Sequence, residues 1–194
     1  MTDPPPVIIV TGVPRSGTSM AMQMLQAGGL PILSDGVRAP DVSNPRGYLE
    51  FEPVKRLRTD RSWLDQASGK AVKVIHLLVP ELPTDRPYKV IFMHRALDQV
   101  VRSQSRMLQA GGHASLGIAP ERMMAVFSAQ IASVQAWLAA HPNFEVCELQ
   151  HAECVVDPGG MAERVNRFLG GHLDEARMRL VVDPSLHRNR GDQA

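Results

Sequence analysis

Two short stretches of this sequence carry the residue types needed to hold an anion. The first is Gly12-Val13-Pro14-Arg15-Ser16-Gly17-Thr18-Ser19. Glycines let a backbone curl so that successive N–H groups point inward, and a helix starting just beyond adds partial positive charge. Set against the phosphate-binding pattern GxxxxGK(S/T), Thr18 stands where the lysine belongs, and the fixed positive charge has moved into the loop as Arg15. That lysine reaches the terminal phosphates of a nucleoside triphosphate, so its loss argues against a kinase or ATPase. The plainer alternative is a strand-to-helix turn capped by Ser16 or Thr18.

The second stretch runs from Val90 through His94-Arg95 to Ser103. Residues eight apart fall on nearly the same face of a helix, so Arg95 and Ser103 can converge on one anion. Arginine presents a planar fork of donors suited to phosphate. Taken alone, the stretch is equally consistent with a capped helix and a surface ion pair.

Both stretches need a strand before them and a helix after. Val7 to Val10 is a β-branched run that predicts a strand buried on both faces, and Thr18 to Ala27 has helical apolar spacing ended by Gly28-Gly29. Pro53 opens an expected helix to about Leu64, and further strands are predicted over 71–75, 88–93 and 144–149. Helices are predicted over 96–108, 158–169 and 173–181, with a longer one opened by Pro120 and striped by Met123, Met124, Phe127, Ile131, Val134 and Leu138. Strands alternating with helices predict an α/β fold whose mostly parallel central sheet is flanked by helices on both faces, in one domain over residues 1–194.

Pro14-Arg15-Ser16-Gly17-Thr18-Ser19 resembles the 5′-phosphosulfate loop of sulfotransferases that use 3′-phosphoadenosine 5′-phosphosulfate (PAPS). The stretch with Arg95, Asp98 and Ser103 resembles that family's 3′-phosphate motif, in the same order and with the same spacing from arginine to serine. The resemblance implies a three-layer, P-loop NTPase-like fold with donor-binding elements near 7–29 and 88–109. It implies that Arg15 contacts the 5′-phosphate and the bridging oxygen, while Ser16, Gly17, Thr18 and Ser19 hold the same end. Arg95 and Ser103 would bind the 3′-phosphate, with Asp98 supporting the helix N-terminus. The tail residues Arg188 and Arg190 resemble a basic segment that clasps the same phosphate; a solvated basic tail is the alternative.

Attack by an acceptor hydroxyl or amine requires a general base. Glu50 is the first choice because related enzymes place a glutamate soon after the first helix, and Glu52 lies two residues on. His76, at the end of the strand that carries Lys73, is the rival, since ligands gather at strand ends in open α/β sheets. Lys73 is expected to neutralise the leaving phosphate. Sulfuryl transfer moves a group with less negative charge than phosphoryl transfer, and the seven scattered histidines form no metal-binding pattern, so no metal is expected.

A net charge of +1 removes the broad cationic field of a non-specific nucleic-acid binder. The two cysteines are expected to be reduced, and without a signal peptide or a membrane-length apolar run the chain reads as cytoplasmic. Segments near 30–64 and 104–140 are expected to wall an acceptor pocket, with Trp63 as an aromatic surface; small-molecule, glycan, lipid and peptide acceptors all stay open. Two other functions fit the same residues: a divergent P-loop kinase using ATP, and a nucleotide-binding protein without catalysis.

Overall fold

A computed structural model describes residues 4–41, 44, 46–110 and 117–182. Among these, four parallel strands form one sheet: β1 (Val7–Gly12), β2 (Ala71–Lys73), β3 (Tyr88–His94) and β4 (Phe144–Gln150), in the order β2-β1-β3-β4. Every residue of β1 is buried, as a strand covered on both faces must be. Its side chains alternate. Ile8 and Val10 enter one apolar layer, Val7 and Ile9 the other.

The first layer packs helices α1 (Thr18–Ala27), α4 (His151–Val156), α5 (Pro158–Leu169) and α6 (Glu175–Val181) against the sheet. Met22, Met24 and Met178 are fully buried there, so flexible thioethers fill space that a sequence poor in aromatics leaves open. Cys147 and Cys154 are free thiols in the same layer. The second layer holds three short 3-10 helices (Glu52–Arg56, Ser62–Ala67 and His76–Glu81) and the inner side of α3 (Pro120–Ala139). Helix α2 (Leu97–Ala110) follows β3 directly and buries Val100 and Val101.

The expected helix from Pro53 to Leu64 is instead two 3-10 pieces. Asp60 accepts hydrogen bonds from the Ser62 N–H and hydroxyl, a local bond that competes with helix continuation. Trp63, expected at the acceptor surface, is buried in the second layer, edge-on to Phe51. Strand β2 is shorter than expected, because the chain turns after Val74 into the 3-10 helix that begins at His76.

The chain crosses from β1 to β2 on one side and returns to β3 on the other. The strand order therefore reverses beside β1, and a crevice must open above the carboxyl ends of β1 and β3. Gly12 ends β1 at φ 151, and a Cβ there would lie 2.4 Å from Ser16 Oγ and 2.5 Å from the Met93 carbonyl oxygen of the neighbouring strand. Gly12→Ala is expected to cost at least about 2 kcal/mol, because it combines a disfavoured backbone angle with a clash against main chain. Urea unfolding followed by circular dichroism measures it.

Candidate functional site

The crevice holds a cavity of about 630 Å³, lined by the ends of β1, β2 and β3 and by parts of the 38–55 segment and α2. Its floor is the loop from β1 to α1. The Ser16 N–H donates to the Val13 carbonyl at 3.1 Å, closing a turn, and Arg15 sits in the left-handed region at φ 69. A non-glycine residue there costs on the order of 1 kcal/mol and must be held by its surroundings. Gly17, at φ 106, begins α1 with no side-chain cap, and a Cβ on it would meet the His151 ring at 2.7 Å. The first-turn N–H groups of α1 thus lie at a loop left uncapped by protein.

The two sequence stretches meet at this loop. Arg15 Nε donates to Ser103 Oγ at 3.0 Å, and Arg95 Nη1 donates to the Arg15 carbonyl oxygen at 3.2 Å. Arg95 Nε also donates to Gln99 at 3.2 Å, which fixes the plane of its guanidinium. Burial first, and the neighbouring Arg15 second, pull the Arg95 pKa down to about 10, with Asp98 opposing. A guanidinium disfavoured by its own surroundings is one that a bound anion would stabilise. Asp98 lies in the first turn of α2 and is paired with Arg102 on the exposed side.

Lys73 reaches from the end of β2 to Ser19 Oγ at 2.9 Å and to the Tyr48 carbonyl oxygen. Desolvation brings its pKa down to about 8; Glu50 opposes the shift and Arg38 adds to it. Glu50 and Arg38 face each other across 2.8 Å at the cavity wall, and Arg38 lies over the Tyr48 ring. Glu52 pairs with Lys55 at 2.6 Å and does not line the cavity, whereas Lys55 does.

His76 is elsewhere. It is buried in the second layer, with Nε2 2.9 Å from Gln130 Oε1, and is absent from the cavity wall; burial lowers its pKa. As the first residue of a 3-10 helix it turns toward Gln130 of α3, and its ring lies behind the cavity beside the main chain of Gly12. Arg188 and Arg190 lie outside the described residues.

Sequence reasoning missed Arg38, Tyr48 and Gln104 on the cavity wall. Gln104 Oε1 and Ser16 Oγ are both buried without a hydrogen-bond partner among the described residues. Gln104 lies three residues before Met107, which shares the cavity wall, and that helical spacing was the available cue. Arg38 had no such cue, since its pairing with Glu50 depends on how the loop between them folds. Among the described residues no group of three metal-ligating side chains occurs, and no helix is long and apolar enough to cross a membrane.

The depressed Lys73 pKa fixes a stability profile. Between about pH 8 and the ordinary lysine value of 10.5, the unfolded chain holds more protons at this position than the folded protein. Stability therefore gains from this residue as pH rises through that window. Urea unfolding from pH 7 to 10 is expected to show the gain as a wild-type excess over Lys73→Met that grows with pH; parallel curves would contradict it.

No protein-family model matches the sequence, and no curated protein matches it. Solved structures do match. A sulfotransferase from Alicyclobacillus acidocaldarius superposes with a TM-score of 0.54 at 15% identity, covering 93% of this chain and 87% of that one. The sulfotransferase domain of the Synechococcus PCC 7002 olefin synthase gives 0.53 at 14% identity, covering 96% and 87%. Retinol dehydratase, solved with androsterone and the inactive cofactor PAP, gives 0.52 at 15% identity, covering 90% of this chain and 62% of that one. With its parallel sheet, its two helical layers and its glycine-bearing loop after β1, the chain has the P-loop-like α/β fold of the sulfotransferases.

Proposed function

We propose that this protein transfers a sulfuryl group from PAPS to an acceptor hydroxyl or amine by in-line displacement. The observation that carries the reading is the contact between the two anion-binding stretches: Arg15 bonds to Ser103, and Arg95 bonds to the Arg15 main chain. Residues about eighty positions apart thereby present two guanidiniums and a helix N-terminus to one cavity, a donor set suited to a ligand with separate phosphate groups. The uncapped start of α1 and the Gln104 oxygen on the cavity wall, which has no hydrogen-bond partner among the described residues, add to the fit.

In this reading the backbone of Ser16 to Ser19, with the Thr18 and Ser19 hydroxyls, holds the 5′ end of the donor. Arg95 and Ser103 hold the 3′-phosphate, joined by Arg188 and Arg190. Arg15 and Lys73 offset the charge that gathers on the departing phosphate oxygen as its bond to sulfur breaks. Glu50, on the cavity wall, takes the proton of the attacking hydroxyl. His76 would need a rearrangement of the second layer to reach an acceptor and is the weaker choice for this role. The chemistry asks for positioned cations and amides and for no metal.

Calorimetric titration tests the donor site. Adenosine 3′,5′-bisphosphate (PAP), the product left by PAPS, is expected to bind, with ADP much weaker. Arg95→Ala should weaken PAP by roughly tenfold to a hundredfold, the scale of a lost charge-assisted hydrogen bond. Tighter binding of Mg-ATP than of PAP would overturn the reading in favour of a kinase. Where PAPS turnover is measurable with an acceptor, Glu50→Gln should lower kcat by about 10² or more at unchanged PAP affinity. Tight PAP binding with no transfer to any acceptor class would leave a binding protein instead of an enzyme.

A further inference from the structure

The cavity carries more positive charge than the donor stretches supply. Among the described residues, five cationic side chains line it (Arg15, Arg38, Lys55, Lys73 and Arg95) against a single carboxylate, Glu50. Arg15, Lys73 and Arg95 come from the strand ends and the loop between them. Arg38 comes from the segment between α1 and the first 3-10 helix, on the same loop as Glu50.

Arg38 is held unusually well for a residue that is 42% exposed. Its guanidinium carbon lies 3.4 Å from the centre of the Tyr48 ring, close enough for flat stacking. Tyr48 is itself buried, and its hydroxyl donates to Asp41 at 2.8 Å, so the surface under the guanidinium is fixed. The loop on either side is pinned by Asp35, whose N–H donates to the Glu50 carbonyl at 3.2 Å and whose carboxylate accepts from the N–H groups of Val37 and Glu52. Among the described residues the hydrogen-bond partner of Arg38 is Glu50, whose Oε1 accepts from Nη1 at 2.8 Å. A stacked guanidinium keeps its edge for hydrogen bonding, and Arg38 lines the cavity. Phe51, Val54, Val74, Ile75 and Met107 make the neighbouring wall apolar.

We propose that Arg38 is an acceptor-recognition residue, selecting an acceptor with an apolar body and an anionic group, carboxylate or phosphate, near the hydroxyl that is sulfated. The inference rests on the transferase reading above and adds the acceptor class to it. Because the same guanidinium holds Glu50, an anion bound to its outer edge brings the neighbouring hydroxyl beside the carboxylate that takes its proton. Arg38 thus reads the acceptor and sets its register against the base. A neutral alcohol of the same size gains only the apolar wall.

Calorimetry on the PAP-loaded protein tests this with hexanoate, hexyl phosphate and hexan-1-ol as probes. Hexanoate, hexyl phosphate or both are expected to bind roughly tenfold or more tighter than hexan-1-ol, the scale of one charge-assisted hydrogen bond; which of the two leads identifies the anion. In Arg38→Ala the preference should vanish while PAP affinity stays unaltered, which also reports that the variant is folded. Equal binding of the three probes, binding of none, or a preference that survives in Arg38→Ala overturns the proposal. A preference lost in Lys73→Met but kept in Arg38→Ala would place the anion at the transferring end of the donor, and overturns it too. If PAP fails to bind, the donor reading falls by itself. The probe series is then run on the protein alone, comparing Arg38→Ala with Arg95→Ala, and preference for the anions dependent on Arg38 and independent of Arg95 still upholds the acceptor site.

Discussion

The main chain of Arg15 is the point on which the site turns. Its carbonyl receives Arg95, its side chain reaches Ser103, and its own backbone is held in a left-handed conformation. Each contact alone is worth about 1 kcal/mol, comparable to the strain it offsets. Together they make the loop after β1 and the start of α2 one structural unit. Folding therefore sets the spacing between the two guanidiniums before any ligand arrives, and binding has less conformational freedom to remove. The cost appears in electrostatics: Arg95 is less willing to carry its charge than an arginine in water.

Opposing forces of the same kind govern Lys73. Burial works against its ammonium, while Ser19, the Tyr48 carbonyl and the nearby Glu50 support it. An ammonium held this close to neutrality responds strongly to a new anion, because the charge it is asked to stabilise also stabilises it. The cavity is a place where positive charge has been assembled against its own repulsion, and the apolar packing of two layers on the sheet holds it there.

Much of this was legible in the sequence, and the reasons differ by element. A β-branched run entering a glycine-bearing loop and then a helix has few folded forms, so β1 and α1 fall where spacing puts them, α1 to the residue. The direct bond from Arg15 to Ser103 was not legible, because it depends on β1 and β3 lying side by side in the sheet. Local hydrogen bonds defeated the pattern elsewhere. Asp60 divided the helix expected after Pro53, and the short α4 was unforeseen because its six residues offer less than two turns of periodicity. Trp63 and His76 illustrate a second limit. Residue type alone did not tell an aromatic or a histidine on the cavity wall from one in the layer behind it, and both lie behind. Arg38 was invisible because its meaning comes from Tyr48 beneath it and Glu50 beside it, partners fixed by loop folding.

The two margins of the sheet are finished differently. Along β2, the Ala71 N–H donates to the Pro31 carbonyl and the Ala71 carbonyl accepts from Leu33, so a short piece of chain occupies the outer hydrogen-bonding groups. Along β4, Glu145, Glu148 and Gln150 stand exposed, and Glu145 is tied to Lys89. A foreign strand approaching either margin meets backbone already engaged or charged and amide side chains it would have to strip of water. The fold can thus keep a parallel and strongly apolar sheet at its centre without inviting it to lengthen from one molecule into the next.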